Sequence, residues 1–96
     1  MATIDIKRSH SIGLEEAKKK AETLARDMES ELGIKWSWSG NSIKFDAPSG
    51  AAKGANGSVD VDGSSVRVQI DLPFLLRAIK GTIESKVNDK LNKALA

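Results

Sequence analysis

The sequence predicts an α+β fold, a two-layer sandwich in which a five-stranded antiparallel sheet carries two helices on one face. Three observations predict this class. The candidate strands alternate apolar and polar residues, two long segments repeat apolar residues at helical spacing, and short turns close two hairpins among the last four strands. Because each strand has one polar face, that side of the sheet stays in solvent and the helices must cover the other. The predicted element order is β-α-β-β-β-β-α, with strand order 2-3-4-5-1.

Length and composition limit the function classes. The 96 residues are enough for one domain, which we expect to span residues 1–96. The absence of cysteine excludes disulfides and thiolate metal sites, and a formal net charge of +2 is too small to indicate a nucleic-acid partner. The chain contains no apolar stretch of transmembrane length, and "MATIDIKRSH" lacks the apolar region of a signal peptide. We therefore expect a cytoplasmic protein.

The first strand and first helix follow from two different periods. "TIDIK" alternates isoleucine with charged residues, which predicts a half-buried strand. The segment that follows, residues 11–33, predicts an amphipathic helix with Gly33 just beyond its C-terminus. Its apolar face is formed by Leu14, Ala17, Ala21, Leu24, Ala25, Met28 and Leu32.

Four further strands are predicted between the helices. "IKWSWS" and "SIKFDA" form a hairpin around Gly40–Asn41, and "SVDVDGSSVRVQIDL" forms a second one that turns at Asp62–Gly63. Between the hairpins, "PSGAAKGANGS" has no helical period and predicts a flexible loop that enters a glycine-interrupted strand.

The last segment, "PFLLRAIKGTIESKVNDKLNKALA", predicts the second helix, with Pro73 in its first turn. If the helix is regular from Pro73 onward, Phe74 lies on the side opposite the core. Phe74 is then either folded over the sheet end and partly buried, or an exposed aromatic anchor. Residues expected to point into the domain are Leu72, Leu75, Leu76, Ile79, Ile83, Val87, Leu91 and Leu95.

Polar residues give no constellation for chemistry. His10 is the only histidine, lacks neighbouring ligands at metal spacing, and is expected to bond local backbone or to face solvent. Asp60 and Asp71 alternate with apolar residues on strands, and Asp62 belongs to a turn that lacks the rest of a calcium loop. We therefore predict no catalytic, metal or cofactor-binding residue, and no enzyme.

Four stretches of the chain resemble one family. They are "IDIKRSHSIGLEEAK", "LGIKWSWSGNSIKF", "GSVDVDGSSVRVQIDL" and "LPFLLRAIKGTIESKVNDKL", and the family is that of the polyhydroxyalkanoic acid system proteins. The resemblance implies a small bacterial protein encoded near genes for polyester storage granules and associated with those granules. The positions that carry it are His10, Leu14, Ala17, Gly40, Phe45, Gly57 and Leu72, and none of them is a catalytic motif.

Two functions are consistent with these features. The first is a non-enzymatic accessory protein that docks on a polyester granule, or on a granule protein, through residues at the start of the second helix: Phe74, Leu75, Arg77 and Ala78. The alternative follows from a fainter likeness to the helix-grip lipid-binding fold, and is a small carrier of an acyl chain or other apolar ligand. Its candidate ligand contacts are Trp36, Trp38 and Phe45, although the sequence favours both tryptophans as core residues.

Overall fold

A computed structural model describes residues 3–50 and 52–95. Met1 and Ala2, which belong to the stretch predicted to lack a signal peptide, lie outside the described residues, as do Ala51 of the predicted loop and Ala96. The elements are β1 (Ile4–Ser9), α1 (Leu14–Leu32), β2 (Lys35–Ser39), β3 (Ser42–Asp46), β4 (Asn56–Val61), β5 (Ser65–Asp71), a 3₁₀ segment (Phe74–Ile79) and α2 (Lys80–Leu95).

The five strands form one sheet in the order β1-β5-β4-β3-β2, and every neighbouring pair is antiparallel. The predicted strand order is therefore confirmed. β1 and β2 are the two edge strands, so the α1 connection carries the chain from one edge of the sheet to the other.

Both helices lie on the same face of the sheet, which confirms the predicted α+β class. α1 contacts β2 to β5, and α2 contacts β1 and α1. The strands bury alternate residues against them, as the sequence pattern predicts. The largest fully buried side chains are Ile4, Leu24, Met28, Ile43, Leu91, Val59, Val66, Val68 and Val87.

Two glycines have a left-handed backbone conformation, one at the C-terminal end of α1 and one in the β2–β3 turn. Gly33 adopts the left-handed conformation (φ 71°) and its N–H donates to Glu29 O, which closes α1 where the sequence predicts. Gly40 has φ 63° at the first central position of the predicted two-residue turn, a conformation that costs glycine little.

A third glycine, Gly57 of β4, permits a close approach inside the sheet. An added Cβ at this position would lie 2.0 Å from the carbonyl oxygen of Gln69 and 2.8 Å from Cζ of Phe45. The Phe45 ring is buried and occupies the space that a side chain at Gly57 would otherwise take. The glycine-interrupted strand predicted from the sequence is therefore a packing requirement between β3, β4 and β5.

The predicted loop between β3 and β4 packs back onto the domain. Ala47 N–H donates to Ala55 O and Gly54 N–H donates to Ala47 O, both at 2.8 Å. Ala47, Ala52 and Ala55 are buried in the core. Because these side chains are small, the segment can lie close to the sheet. The same small side chains give its sequence no clear helical or strand period.

The second helix begins later than predicted. α2 starts at Lys80, residues 74–79 form the 3₁₀ segment, and Pro73 is extended (φ −63°, ψ 158°). The prediction of a regular helix from Pro73 onward is therefore wrong. From Lys80 the prediction is confirmed, because Ile83, Val87 and Leu91 form the buried face of α2.

Candidate docking surface before the second helix

The site begins where β5 ends, at two residues that fix the direction of the chain. The side chain of Leu72 is buried, and its N–H donates to Thr3 Oγ1 at 3.2 Å. The Pro73 ring lies against Gly54, where an added Cβ would come within 3.1 Å of Pro73 Cγ. Leu72 and Pro73 therefore anchor the start of the 3₁₀ segment to the core and to the β3–β4 loop.

The 3₁₀ geometry decides which side chains face outward. Leu76 N–H donates to Pro73 O at 2.9 Å, and Lys80 N–H donates to Arg77 O. Because a 3₁₀ helix has three residues per turn, residues i and i+3 lie one above the other. Phe74 therefore lies above Arg77, Leu75 above Ala78, and Leu76 above Ile79.

The first two rows are exposed, and the third is partly covered. Phe74 is 82% exposed and Leu75 is 85% exposed, whereas Leu76 is half-buried and packs on the core. Ile79, one turn after Leu76 in the 3₁₀ segment, is 45% exposed. Of the two alternatives for Phe74, the exposed one is observed.

Two inward predictions are corrected here. Leu75 and Ile79, expected to point into the domain, are exposed. For Leu75 the reason is the 120° step of the 3₁₀ helix, which turns its side chain away from the core when Leu76 packs on it. Ile79 lies in the row of Leu76 but is only partly covered. The inward predictions for Leu72 and Leu76 are confirmed.

The result is a small apolar surface beside positive charge. We call the exposed residues Phe74, Leu75, Arg77, Ala78 and Ile79 the 74–79 patch. Arg77 is part of it, and Lys80 follows directly, with its Nζ 4.0 Å from a carboxylate oxygen of Glu84. An apolar surface of this kind on a small domain is typical of a contact site.

The predicted apolar-ligand contacts lie elsewhere, beneath and beside α1. Phe45 is buried in the core. Trp36 and Trp38 are half-buried and pack against the core. The Trp36 indole N–H donates to Glu29 (3.3 Å) and that of Trp38 donates to Glu22 (3.0 Å). The tryptophans thus join β2 to α1, and their contact with an apolar ligand stays a prediction.

The carrier hypothesis requires a ligand cavity between α2 and the sheet, and two clefts of the structure lie elsewhere. One of about 320 Å³ lies between the helices and is lined by Lys20, Thr23, Leu24, Asp27, Lys90, Lys93 and Ala94. The other, of about 270 Å³, lies beside Trp36 and Phe45. Neither of these clefts lies between α2 and the sheet, where Ile83, Val87 and Leu91 are buried in the core.

His10 is bonded to backbone, as predicted. Its Nδ1 accepts from the N–H of Ile12 at 3.4 Å, so Nε2 carries the hydrogen and donates to Asp62 O at 3.0 Å. Within residues 3–50 and 52–95, no group of three or more histidine, aspartate or glutamate residues could hold a metal ion. His10 therefore acts as a link between the β1–α1 loop and the β4–β5 turn.

Three carboxylates have lowered pKa values, each for a local reason. The Asp62 carboxylate accepts from the N–H groups and hydroxyls of Ser64 and Ser65, which lowers its pKa to about 2. A two-pronged hydrogen bond from Arg67 lowers the pKa of Asp5, and a hydrogen bond from Lys90 lowers that of Glu31. These hydrogen bonds close the β4–β5 turn, join β1 to β5 and join α1 to α2, and they lie apart from the 74–79 patch.

Over residues 4–95 the chain matches the family described as "Putative polyhydroxyalkanoic acid system protein". The chain belongs to this family. No curated protein and no solved structure shows a significant match to this chain. The description of the family names a polyhydroxyalkanoic acid system and no reaction. None of the helices in the described part of the chain is long and apolar enough to cross a membrane.

Sequence reasoning missed Ile79 as part of the exposed surface in this polyhydroxyalkanoic acid system protein. A usable signal was present. Phe74, Leu75 and Leu76 are consecutive apolar residues, and no helix can direct three consecutive side chains toward one core. The length of the apolar run, rather than its helical phase, was the indication of a contact surface.

Proposed function

We propose that this protein is a non-enzymatic accessory protein of polyhydroxyalkanoate storage that acts in the cytoplasm and docks on granules, or on proteins of the granule surface, through the 74–79 patch. The observation that carries the proposal is the exposure of two adjacent large apolar side chains, Phe74 (82%) and Leu75 (85%), in a chain of this family. Exposing both in solvent is unfavourable, and contact with an apolar surface would remove that cost.

The size of the patch sets the strength of docking. Burying one phenylalanine or leucine side chain contributes about 1.5–3 kcal/mol, so Phe74 and Leu75 together contribute about 3–6 kcal/mol. Part of this free energy is offset by the entropy lost on association. One copy of the patch therefore supports weak, reversible binding, and stable binding requires several copies on the same surface.

Co-sedimentation with isolated polyhydroxyalkanoate granules tests the proposal. We expect Phe74→Ser to reduce the bound fraction strongly, since a loss of about 2 kcal/mol corresponds to a roughly thirtyfold weaker affinity. The matched control is Ile12→Ser, because Ile12 is an exposed isoleucine in the β1–α1 loop, outside the patch. Ile12→Ser should sediment like the unmodified protein.

Protease-treated granules separate the two docking partners. If the protein binds the polymer surface, removal of the granule proteins leaves the bound fraction unchanged; if it binds a granule protein, the bound fraction falls. Equal recovery of the unmodified protein and Phe74→Ser would show that the 74–79 patch does not take part in docking. No recovery of either from untreated granules would refute granule docking.

A further inference from the structure

The chain around the 74–79 patch carries positive charge and no negative charge. Residues 72–83 include Arg77 and Lys80 and no acidic residue, and the nearest acids along the chain are Asp71 and Glu84 on either side. Among the described residues Arg77 makes no ion pair. Lys80 Nζ lies 4.0 Å from a carboxylate oxygen of Glu84, but both side chains reach solvent, so this pair contributes little and leaves the ammonium group accessible.

The 3₁₀ geometry orders the apolar and the cationic side chains along the segment. Phe74, Arg77 and Lys80 follow each other at i, i+3 and i+6 and therefore lie in one row. At a rise of about 2 Å per residue, Arg77 lies about 6 Å and Lys80 about 12 Å along the axis from Phe74. Leu75 lies beside Phe74 and is similarly exposed. The segment thus has an apolar end, formed by Phe74 and Leu75, and a cationic end.

The size of the 74–79 patch argues against a folded protein as its partner. A stable interface between two proteins uses about 20–30 residues on each side. The patch consists of Phe74, Leu75, Arg77, Ala78 and Ile79, far fewer than that number. A lipid surface makes no such demand, because a few apolar side chains can enter it while the rest of the domain stays in water.

The two cations distinguish a lipid surface from a bare polyester surface. An uncharged apolar surface offers Arg77 and Lys80 no partner, and removing their water there is costly. At a lipid surface, apolar side chains enter the boundary between head groups and acyl chains to a depth of about 5–10 Å. Long cationic side chains reach back from that depth to the head groups. The distance along the segment from Phe74 to Arg77 matches this arrangement.

We propose that the 74–79 patch docks on a lipid surface with anionic head groups, with Phe74 and Leu75 among the acyl chains and Arg77 and Lys80 at the phosphates. This inference rests on the proposed function, because it names the surface that the same patch contacts. A cation close to such a surface raises the affinity about fivefold, so Arg77 and Lys80 together raise it about thirtyfold.

Binding of the full chain to vesicles tests the inference. Vesicles of phosphatidylglycerol and phosphatidylcholine in equal parts present anionic head groups, whereas vesicles of phosphatidylcholine alone have no net charge. We expect the affinity measured by co-sedimentation to be about thirtyfold higher for the anionic vesicles, and to fall as the salt concentration rises. Phe74→Ser should weaken binding to the anionic vesicles by a further factor of about thirty.

Variants of Arg77 test its role against a control of equal charge. Arg77→Gln should bind anionic vesicles about fivefold more weakly and neutral vesicles equally well, and Arg77→Lys should bind both like the unmodified protein. The control is Lys19→Gln, which changes the net charge by the same amount. Lys19 lies beside Gly40 of the β2–β3 turn, at the end of the sheet away from Asp71. Lys19→Gln should bind anionic vesicles as tightly as the unmodified protein.

The outcomes separate the lipid surface from granule docking itself. A chain that binds granules through Phe74, but binds anionic vesicles no more tightly than neutral ones, would overturn the lipid surface and leave the proposed function in place. Equal weakening by Arg77→Gln and Lys19→Gln would also overturn it, since the attraction would then come from net charge and not from the patch. A chain that binds anionic vesicles as expected, but is not recovered with granules, would refute granule docking and support the lipid surface.

Discussion

Replacing Gly57 by alanine tests the packing of the sheet most directly. The new Cβ would lie 2.0 Å from Gln69 O and 2.8 Å from Phe45 Cζ, both closer than atoms can approach. Overpacking a core costs about 1–3 kcal/mol, and the Gln69 contact is with backbone that cannot move without separating β4 from β5. We therefore expect a loss of about 3 kcal/mol in the free energy of unfolding.

Thermal and urea unfolding followed by circular dichroism measure this loss. For a domain of this size, 1 kcal/mol corresponds to about 4–8 °C in Tm, so Gly57→Ala should lower Tm by roughly 12–24 °C. The control is Gly81→Ala in the first turn of α2, where an added Cβ meets no atom within 4 Å. That variant should be more stable than the unmodified protein by as much as about 1 kcal/mol, because alanine favours helix.

A double variant separates the two contacts of Gly57. Phe45→Leu removes the ring atom nearest to the added Cβ but leaves Gln69 O in place. We expect Phe45→Leu to cost about 0.5–1 kcal/mol less in the Gly57→Ala background than in the unmodified protein, because only the first background contains the ring contact. A Gly57→Ala protein within about 0.5 kcal/mol of the unmodified one would refute the packing argument.

Three further predictions follow from particular contacts. Because the pKa of Asp62 is about 2 in the folded protein and 3.8 without its hydrogen bonds, the stability it contributes is present above pH 4 and is lost as the pH falls toward 2. Urea unfolding between these pH values should show that loss, and Asp62→Asn should show a smaller pH dependence. Leu91→Ala, at a fully buried position of α2, should lower the free energy of unfolding by about 2–5 kcal/mol in the same assay. Phe74→Ser and Leu75→Ser should each change it by less than about 0.5 kcal/mol, because both side chains are exposed; a larger loss would place them in the core.

The elements with a strict period could be predicted from the sequence. Alternation along β1 and β5 places Ile4 opposite Ile70 and Ile6 opposite Val68, and each of these side chains is buried. The apolar face of α1 was predictable in the same way, since Ala17, Ala21 and Leu24 recur at helical spacing. Local pattern and tertiary packing agree in these elements.

The start of the second helix could not be predicted from its period. A helical projection assigns each residue a 100° step, and this assumption fails where the backbone forms a 3₁₀ helix. The anchoring of Pro73 against Gly54 is a contact between segments far apart in the chain. No local pattern reports that contact, so the outward direction of Leu75 required the structure.

The path of α1 across the sheet has a consequence for how the chain folds. β2 to β5 form a meander whose strands pair with sequence neighbours, but β1 pairs with β5, and Ile4 meets Ile70 only after most of the chain is present. Closing so long a loop is entropically costly and slow, so β1 should join the sheet late. During synthesis the apolar face of α1 therefore stays without its full cover until β5 and α2 have left the ribosome, and the unfinished chain exposes apolar surface that favours aggregation.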